Sequence, residues 1–107
     1  MIRVEWSEWA ARDLDRIFGY WEERDPEVAV AVVTTLTRRI HWLADDHYFA
    51  GKVVSDLPPA YRWYLQRRYG YKIFYRIEGD PTEVLLVIRL RHARQRPLNP
   101  VEIRPNE

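Results

Sequence analysis

The chain has 107 residues, no cysteine and a net charge of +1, which fits one domain able to bury a core without cross-links and excludes disulfides and thiolate metal sites. No apolar run approaches a membrane span and the N-terminus has no signal-peptide layout, so a cytoplasmic protein that makes no use of a membrane is expected. The near-neutral total hides a split: residues 1–51 carry six arginines against ten acids, and residues 52–107 carry nine arginines and two lysines against six acids, or −4 and +5.

Arg3-Val4-Glu5-Trp6 alternates and predicts a short strand. Ser7 suits a helix N-cap, with Glu8 in the first turn where the dipole favours an acid. Ala10, Leu14, Ile17, Phe18 and Trp21 follow at helical spacing and form one apolar face. Asp25-Pro26 stops that helix and starts another, since Asp caps well and Pro fits the first helical position. Ala29, Val32, Val33, Leu36, Ile40 and Leu43 then repeat at helical spacing, and the length of this stretch outweighs the strand propensity of Val28 to Val33. Two amphipathic helices with a short link predict an antiparallel hairpin. Residues 45–59, with Gly51 and Pro58-Pro59, read as a loop. Strands follow at Tyr61 to Gln66, Tyr71 to Ile77 and Glu83 to Arg91, separated by turns at Arg67 to Gly70 and Glu78 to Pro81. Residues 1–97 therefore make the domain. Residues 98–107 read as an extended or loose tail, because Pro97, Pro100 and Pro105 punctuate a stretch with little apolar content.

The order is β-α-α-β-β-β: an α+β fold with the antiparallel helical hairpin packed on a mainly antiparallel sheet. Strict alternation puts Val84, Leu86, Ile88 and Leu90 on one face of the last strand. Leu85 and Val87 then begin the other face, which ends in Arg89 and Arg91. A strand apolar on both sides belongs in the middle of a sheet. Leu85 and Val87 then need a cover from the loop, the tail or a partner.

Several strings, in this order and spacing, resemble the RelE/ParE superfamily of toxins from bacterial type II toxin–antitoxin pairs. They are Ala10-Ala11-Arg12-Asp13-Leu14 in the first helix, Glu22 to Glu27 at the helix junction, Tyr71 to Ile77 in the penultimate strand, and the tip Arg91-His92-Ala93-Arg94. The resemblance spans Val4 to Pro97. It implies a toxin wrapped by a cognate antitoxin, with no cofactor and no metal. RelE-like members are ribosome-dependent mRNA endonucleases, whereas ParE-like members poison DNA gyrase.

Cleaving RNA through its 2′-hydroxyl needs a base, an acid and cations for the charge that develops on the phosphate. Arg62, Lys72, His92 and Arg94 are the candidates for a nuclease alternative. By resemblance, Tyr64 stands where a second cation belongs, and no tyrosine follows Arg94. The ParE-like branch is therefore favoured, with an mRNA nuclease or a non-toxic antitoxin-binding module as alternatives. In the favoured reading Arg91, His92 and Arg94 meet the target, and Leu85, Val87, Trp63 and Tyr75 meet the antitoxin.

His92 is either a proton-transfer or contact group or a structural ring hydrogen-bonded to the strand end. His41 and His47 make no metal-ligand spacing with it. Arg62, Lys72, Arg76, Arg89, Arg91 and Arg94, with Tyr61, Trp63, Tyr64, Tyr69 and Tyr75 among them, form a basic stacking surface in one reading. In the other, the aromatics are core and the arginines pair with Glu78, Asp80 and Glu83.

Overall fold

Ser7 makes the first change of structure. Strand β1 (Arg3–Trp6) ends before it and helix α1 (Glu8–Glu22) begins after it. Its hydroxyl accepts from the Ala10 amide at 3.0 Å, satisfying one of the donors a helix start leaves open. The Asp25 carboxylate does the same for the Glu27 and Val28 amides at the head of α2 (Pro26–Ala44). Pro26 costs nothing there, because its missing N–H has no helical partner in any case. Ala29, Val32, Leu36, Ile40 and Leu43 of α2 are all 0% exposed, the expected stripe.

The computed structural model describes residues 1–104. Strands β2 (Lys52–Val53), β3 (Tyr61–Gln66), β4 (Tyr71–Glu78) and β5 (Val84–His92) follow α2, and a short helix α3 (Pro100–Ile103) comes last. The sheet order is β1-β5-β4-β3-β2. β1 runs parallel to β5, and every other neighbouring pair is antiparallel. The α+β architecture is the one expected, with β5 inside the sheet.

Two elements lie where the sequence predicts loop or loose tail. β2 pairs Lys52 with Trp63 and Val53 with Arg62. Both its side chains are exposed, so no alternation announces it. In α3 the Asn99 side chain accepts from the Glu102 amide while the Glu102 carboxylate accepts from the Asn99 amide. That reciprocal pair is a capping box, and Asn-x-x-Glu is its sequence signature. Residues 98–104 are thus docked rather than loose. Pro105 and the two residues after it lie outside the described residues.

The faces of β5 also differ from strict alternation. Phe74 pairs with Arg89 but Tyr75 pairs with Val87, so Ile88 is an extra residue on β5. A bulge of this kind shifts the phase of every side chain beyond it. Leu85 and Val87 face the helices, and after the bulge Leu90 rejoins them, in a core with Ile17, Leu36, Ile40, Ile73 and Tyr75. Ile88 turns to the second face, with Val54, Tyr61, Phe74 and Ile103. Leu90 therefore does not share a face with Ile88. The cover required by Leu85 and Val87 is α1 and α2. The loop and the tail cover Leu86 and Ile88 instead.

β1 stops at Trp6, while β5 continues to His92, so backbone groups of β5 would be left open on that side. Helix α1 supplies the partners. The Ser7 amide donates to the Val87 carbonyl (2.9 Å), and the Ser7 hydroxyl to the Ile88 carbonyl (2.8 Å). Asp13 Oδ2 accepts from the Leu90 amide at 3.0 Å and from Arg89 Nε at 2.8 Å, and Oδ1 accepts from the other guanidinium arm at 3.2 Å. The side chains of Asp13 and Arg89 are only 6% and 13% exposed. Removing one partner from a buried, hydrogen-bonded pair leaves a charge without compensation. Asp13→Ala should therefore destabilise the fold by about 3–5 kcal/mol, and Arg89→Ala by a similar amount. Urea denaturation of both singles and the double variant checks this. The double should cost clearly less than the sum of the singles, and a strictly additive result would show that the pair does not act as a unit.

Candidate functional site

One end of the sheet gathers the predicted tip. Tyr71 pairs with His92 across β4 and β5, and the Ala93 amide donates to the Gly70 carbonyl at 2.8 Å. The β3–β4 turn, with exposed Arg67 and Arg68, therefore abuts the end of β5, with exposed Arg94. Gly70 has φ +78° and lies against the His92 ring, where a Cβ would stand 3.1 Å from Nε2. Both features call for glycine.

His92 is oriented by backbone. Its Nδ1 accepts from the Arg94 amide at 3.1 Å, which assigns the proton of the neutral ring to Nε2. The ring stands edge-on to Tyr71, with centroids 5.1 Å apart. Gln95 closes the turn on both sides, accepting from the His92 amide and donating its own amide to the His92 carbonyl. Among the described residues no carboxylate bonds the imidazole, so the arrangement offers a donor to an incoming group without a proton-relay partner.

Between α1 and this end of the sheet lies an open cleft of about 550 Å³. Its floor is Ile17, Trp21, Tyr71 and Leu90, and its rim carries Arg16, His92 and Arg94. Trp21 Nε1 donates to the Tyr71 hydroxyl at 2.9 Å, and burial pushes the Tyr71 phenol up. The Asp13 carboxylate at the inner wall is already committed to Arg89 and Leu90. Arg16 reaches it only at 3.8 Å. The cleft thus combines an apolar floor with a cationic rim.

The other predicted residues are dispersed. Arg91 also lines the cleft, but its Nε and a terminal nitrogen donate to the Arg96 carbonyl, so this side chain braces the following turn. Arg62 donates to the Gly51 carbonyl at 2.8 Å and the Phe49 carbonyl at 3.3 Å. Lys72 sits 4.6 Å from the Trp63 ring on the second face. Arg76 binds the Tyr61 hydroxyl and Glu78, and Arg89 is the buried partner of Asp13. The six cations therefore do not form one surface. Of the carboxylates proposed to pair with them, Glu78 does so.

Leu85, Val87 and Tyr75 are 0% exposed. They lie inside the core, so the antitoxin contact expected of them is not offered at the surface. Tyr75 holds the loop before β2: its hydroxyl donates to the Tyr48 carbonyl (2.8 Å) and accepts from the Gly51 amide (3.0 Å). A Cβ at Gly51 would collide with that hydroxyl and stand 2.8 Å from the Trp63 carbonyl. Trp63 alone of this set stays near the surface, flanked by Lys52 and Lys72. Sequence reasoning did not place Asp13, Arg16 and Trp21 at the site. The available signal was a carboxylate at position 13, three residues after Ala10 and four before Ile17, on the apolar stripe of α1.

Two helices on one face of a five-stranded sheet, with a basic tip after the last strand, define a small toxin-like α+β domain. The family model described as the ParE toxin of the type II toxin–antitoxin system parDE matches residues 4–97. The chain belongs to this family. It is similar in structure to a chain of the chromosomal ParDE system from P. aeruginosa, with a TM-score of 0.71 and 22% identity over 86% of this chain and 96% of that one. It is also similar to a chain of the RelBE2 toxin–antitoxin complex from Mycobacterium tuberculosis, with a TM-score of 0.56 and 23% identity over 85% and 96%. No curated protein matches it in sequence. Among the described residues, no helix is long and apolar enough to cross a membrane, and no group of three or more His, Cys, Asp or Glu side chains is placed to hold a metal ion.

The segment after the tip gives a pH prediction. Arg96 binds both Glu102 oxygens at 2.8 Å. That bond and the Asn99 amide lower the Glu102 carboxyl from an ordinary 4.5 to about 2. Because the folded value is the lower one, the contribution is complete above the unfolded value. It is lost as pH falls through the window from about 4.5 to about 2. The Ile103 methyl resonances should shift toward solvent-exposed positions across that window. In Glu102→Gln that transition should disappear, and its persistence would assign the change to another group.

Proposed function

We propose that this protein is the toxin of a type II toxin–antitoxin pair, neutralised by a cognate antitoxin protein. It acts by binding its target rather than by cutting RNA. By family resemblance the target is DNA gyrase. One observation carries the choice: the four residues of the nuclease alternative do not share one site. Arg62 braces the loop before β2, Lys72 lies against Trp63 on the second face, and the His92 ring takes the Arg94 amide. Arg94 and His92 border the cleft with Arg16. Lys72 and His92 line a separate pocket on the second face, and Arg62 lines neither. A base, an acid and a cationic cradle around one phosphate would have to share one site. A cationic rim over an apolar floor is instead the composition of a protein-binding patch. The similar chains from ParDE and RelBE2 systems support the antitoxin partner.

Expression without the antitoxin tests the target. Loss of plasmid supercoiling while translation continues supports gyrase. Arrest of translation with intact supercoiling would overturn it. Purified protein added to programmed ribosomes should leave the message whole. Specific cuts in the ribosomal A site that vanish in His92→Ala or Arg94→Ala would establish the nuclease reading instead.

Arg94 should separate function from folding. Its side chain is exposed at the rim of the cleft, so Arg94→Ala should change stability by no more than about 0.5 kcal/mol. Loss of a desolvated charge contact to the target costs about 2–5 kcal/mol, so toxicity should fall sharply while antitoxin binding persists. Growth assays beside thermal melts decide this. Full toxicity in a folded Arg94→Ala protein would move the target surface elsewhere. Arg91→Ala should behave differently and loosen the turn at Arg96, because its guanidinium is already in use.

A further inference from the structure

The cleft between α1 and the sheet end offers donors and few acceptors. The Asp13 carboxylate in its wall is taken by Arg89 and the Leu90 amide, and the Gln95 amide oxygen accepts from the His92 amide. The Tyr71 hydroxyl accepts from Trp21 Nε1, and its own proton has no acceptor among the described residues. Burial raises the Tyr71 phenol above its ordinary value, so the hydroxyl keeps that proton at neutral pH. Arg16 stands 3.8 Å from Asp13, beyond hydrogen-bond reach, with its side chain 72% exposed. The Arg94 side chain makes no hydrogen bond or ion pair among the described residues. The cleft thus presents the Arg16 and Arg94 guanidinium groups, the His92 imidazole N–H and the Tyr71 O–H, and the one carboxylate in its wall is already neutralised.

Beneath these donors the lining is apolar and largely aromatic, with Tyr20, Trp21 and Tyr71 beside Ile17 and Leu90. The rings are held in place before any ligand arrives. Arg24 lies 3.5 Å over the Tyr20 ring and donates to the Tyr20 carbonyl. Trp21 stands edge-on to Tyr20, with centroids 5.3 Å apart, and is tied to Tyr71 by its indole N–H. Rings already fixed edge to face lose little freedom when a further ring packs on them, so the cost of binding is low. A volume of about 550 Å³ lies in the range of small-molecule sites. The donor excess then selects the occupant. A nucleobase would bring amino hydrogens that neither the Asp13 carboxylate nor the Gln95 oxygen can accept. A neutral ring would strip water from the guanidinium groups and return no hydrogen bond.

We infer that this cleft is a binding site for a small aromatic carboxylate, with its ring on Trp21 and Tyr71 and its oxygens received by Arg16, Arg94 and the Tyr71 hydroxyl. An ionised carboxylate carries acceptors only, and a guanidinium meets its two oxygens as a fork. The inference stands apart from the toxin reading. Within that reading it adds a consequence: Arg94 is the residue assigned to the target, so an acid in the cleft and the target compete for the same guanidinium.

The test titrates the full chain and follows the indole and guanidinium N–H signals by NMR. The probes are β-naphthoate, its neutral isostere β-naphthamide, and acetate. Naphthoate should shift the Trp21 indole and the Arg16 and Arg94 side-chain signals together in one saturable titration. Naphthamide lacks the charge and acetate lacks the ring, so each should bind weaker by about tenfold or more. Arg16→Ala and Arg94→Ala should each weaken naphthoate by about tenfold and leave naphthamide unchanged. Arg12→Ala is the control, because it removes the same charge from α1 at a side chain 67% exposed and outside the cleft. It should bind naphthoate as wild type does, with circular dichroism confirming that every variant is folded. Equal affinity for naphthoate and naphthamide would overturn the inference by reducing the cleft to an apolar patch. An equal loss in Arg12→Ala and Arg16→Ala would overturn it by showing diffuse attraction to a basic surface. Absence of a saturable shift at Trp21 would overturn it too and leave the toxin reading, which the supercoiling assay tests separately, standing.

Discussion

The carboxylate of Asp13 is the point on which the sheet and the helices depend together. β1 is too short to pair with the whole of β5, and Asp13 completes the ladder from a helix instead of a strand. One side chain satisfies the Leu90 amide and neutralises Arg89. It sits just past the Ile88 bulge, where β5 changes phase. Because the amide and the guanidinium come from adjacent residues, the contact fixes the position of α1 along β5 as well as its distance. The cleft between them inherits its shape from that constraint.

The bulge then decides which side chains are available to partners. It sends Leu90 into the helix-facing core and leaves Arg89 and Arg91 on the second face, where both brace the end of the chain. Most cations of the basic half are spent on carbonyls, aromatic rings or Asp13. Their number says little about a binding surface, since a guanidinium that donates to a main-chain oxygen is a strut. Arg94 stands apart because it follows the strand end at the exposed rim of the cleft, where its side chain makes no hydrogen bond or ion pair among the described residues.

The loop before β2 shows the same economy from the aromatic side. Tyr75 is interior by its ring and structural by its hydroxyl, which meets two main-chain groups of the loop. Its ring cannot stack on a ligand, and burial pushes its phenol up. Gly51 is the complementary requirement, since the loop passes too close to that hydroxyl for any side chain.

Local information was enough for the order of elements apart from β2 and α3. Ser7 and Asp25 cap helices through their own neighbours, the stripe from Ala29 to Leu43 has one period, and the apolar run of β5 belongs inside a sheet wherever that sheet is. The family resemblance rested on strings of the same local kind. The bulge was not legible, because an extra residue is defined against a partner strand and leaves no mark in the apolar pattern of β5's own sequence. Nor was the fate of each arginine, which depends on carbonyls and a carboxylate brought close from 5 to 76 positions away. The capping box of α3 was written in Asn99 and Glu102, yet its burial needed a groove built by β3, β4 and β5. The sequence by itself determined the two long helices, four of the five strands and the presence of a basic tip. Tertiary structure alone decided which face each side chain meets and which charges remain for a partner, because both are set by contacts between residues distant in the chain.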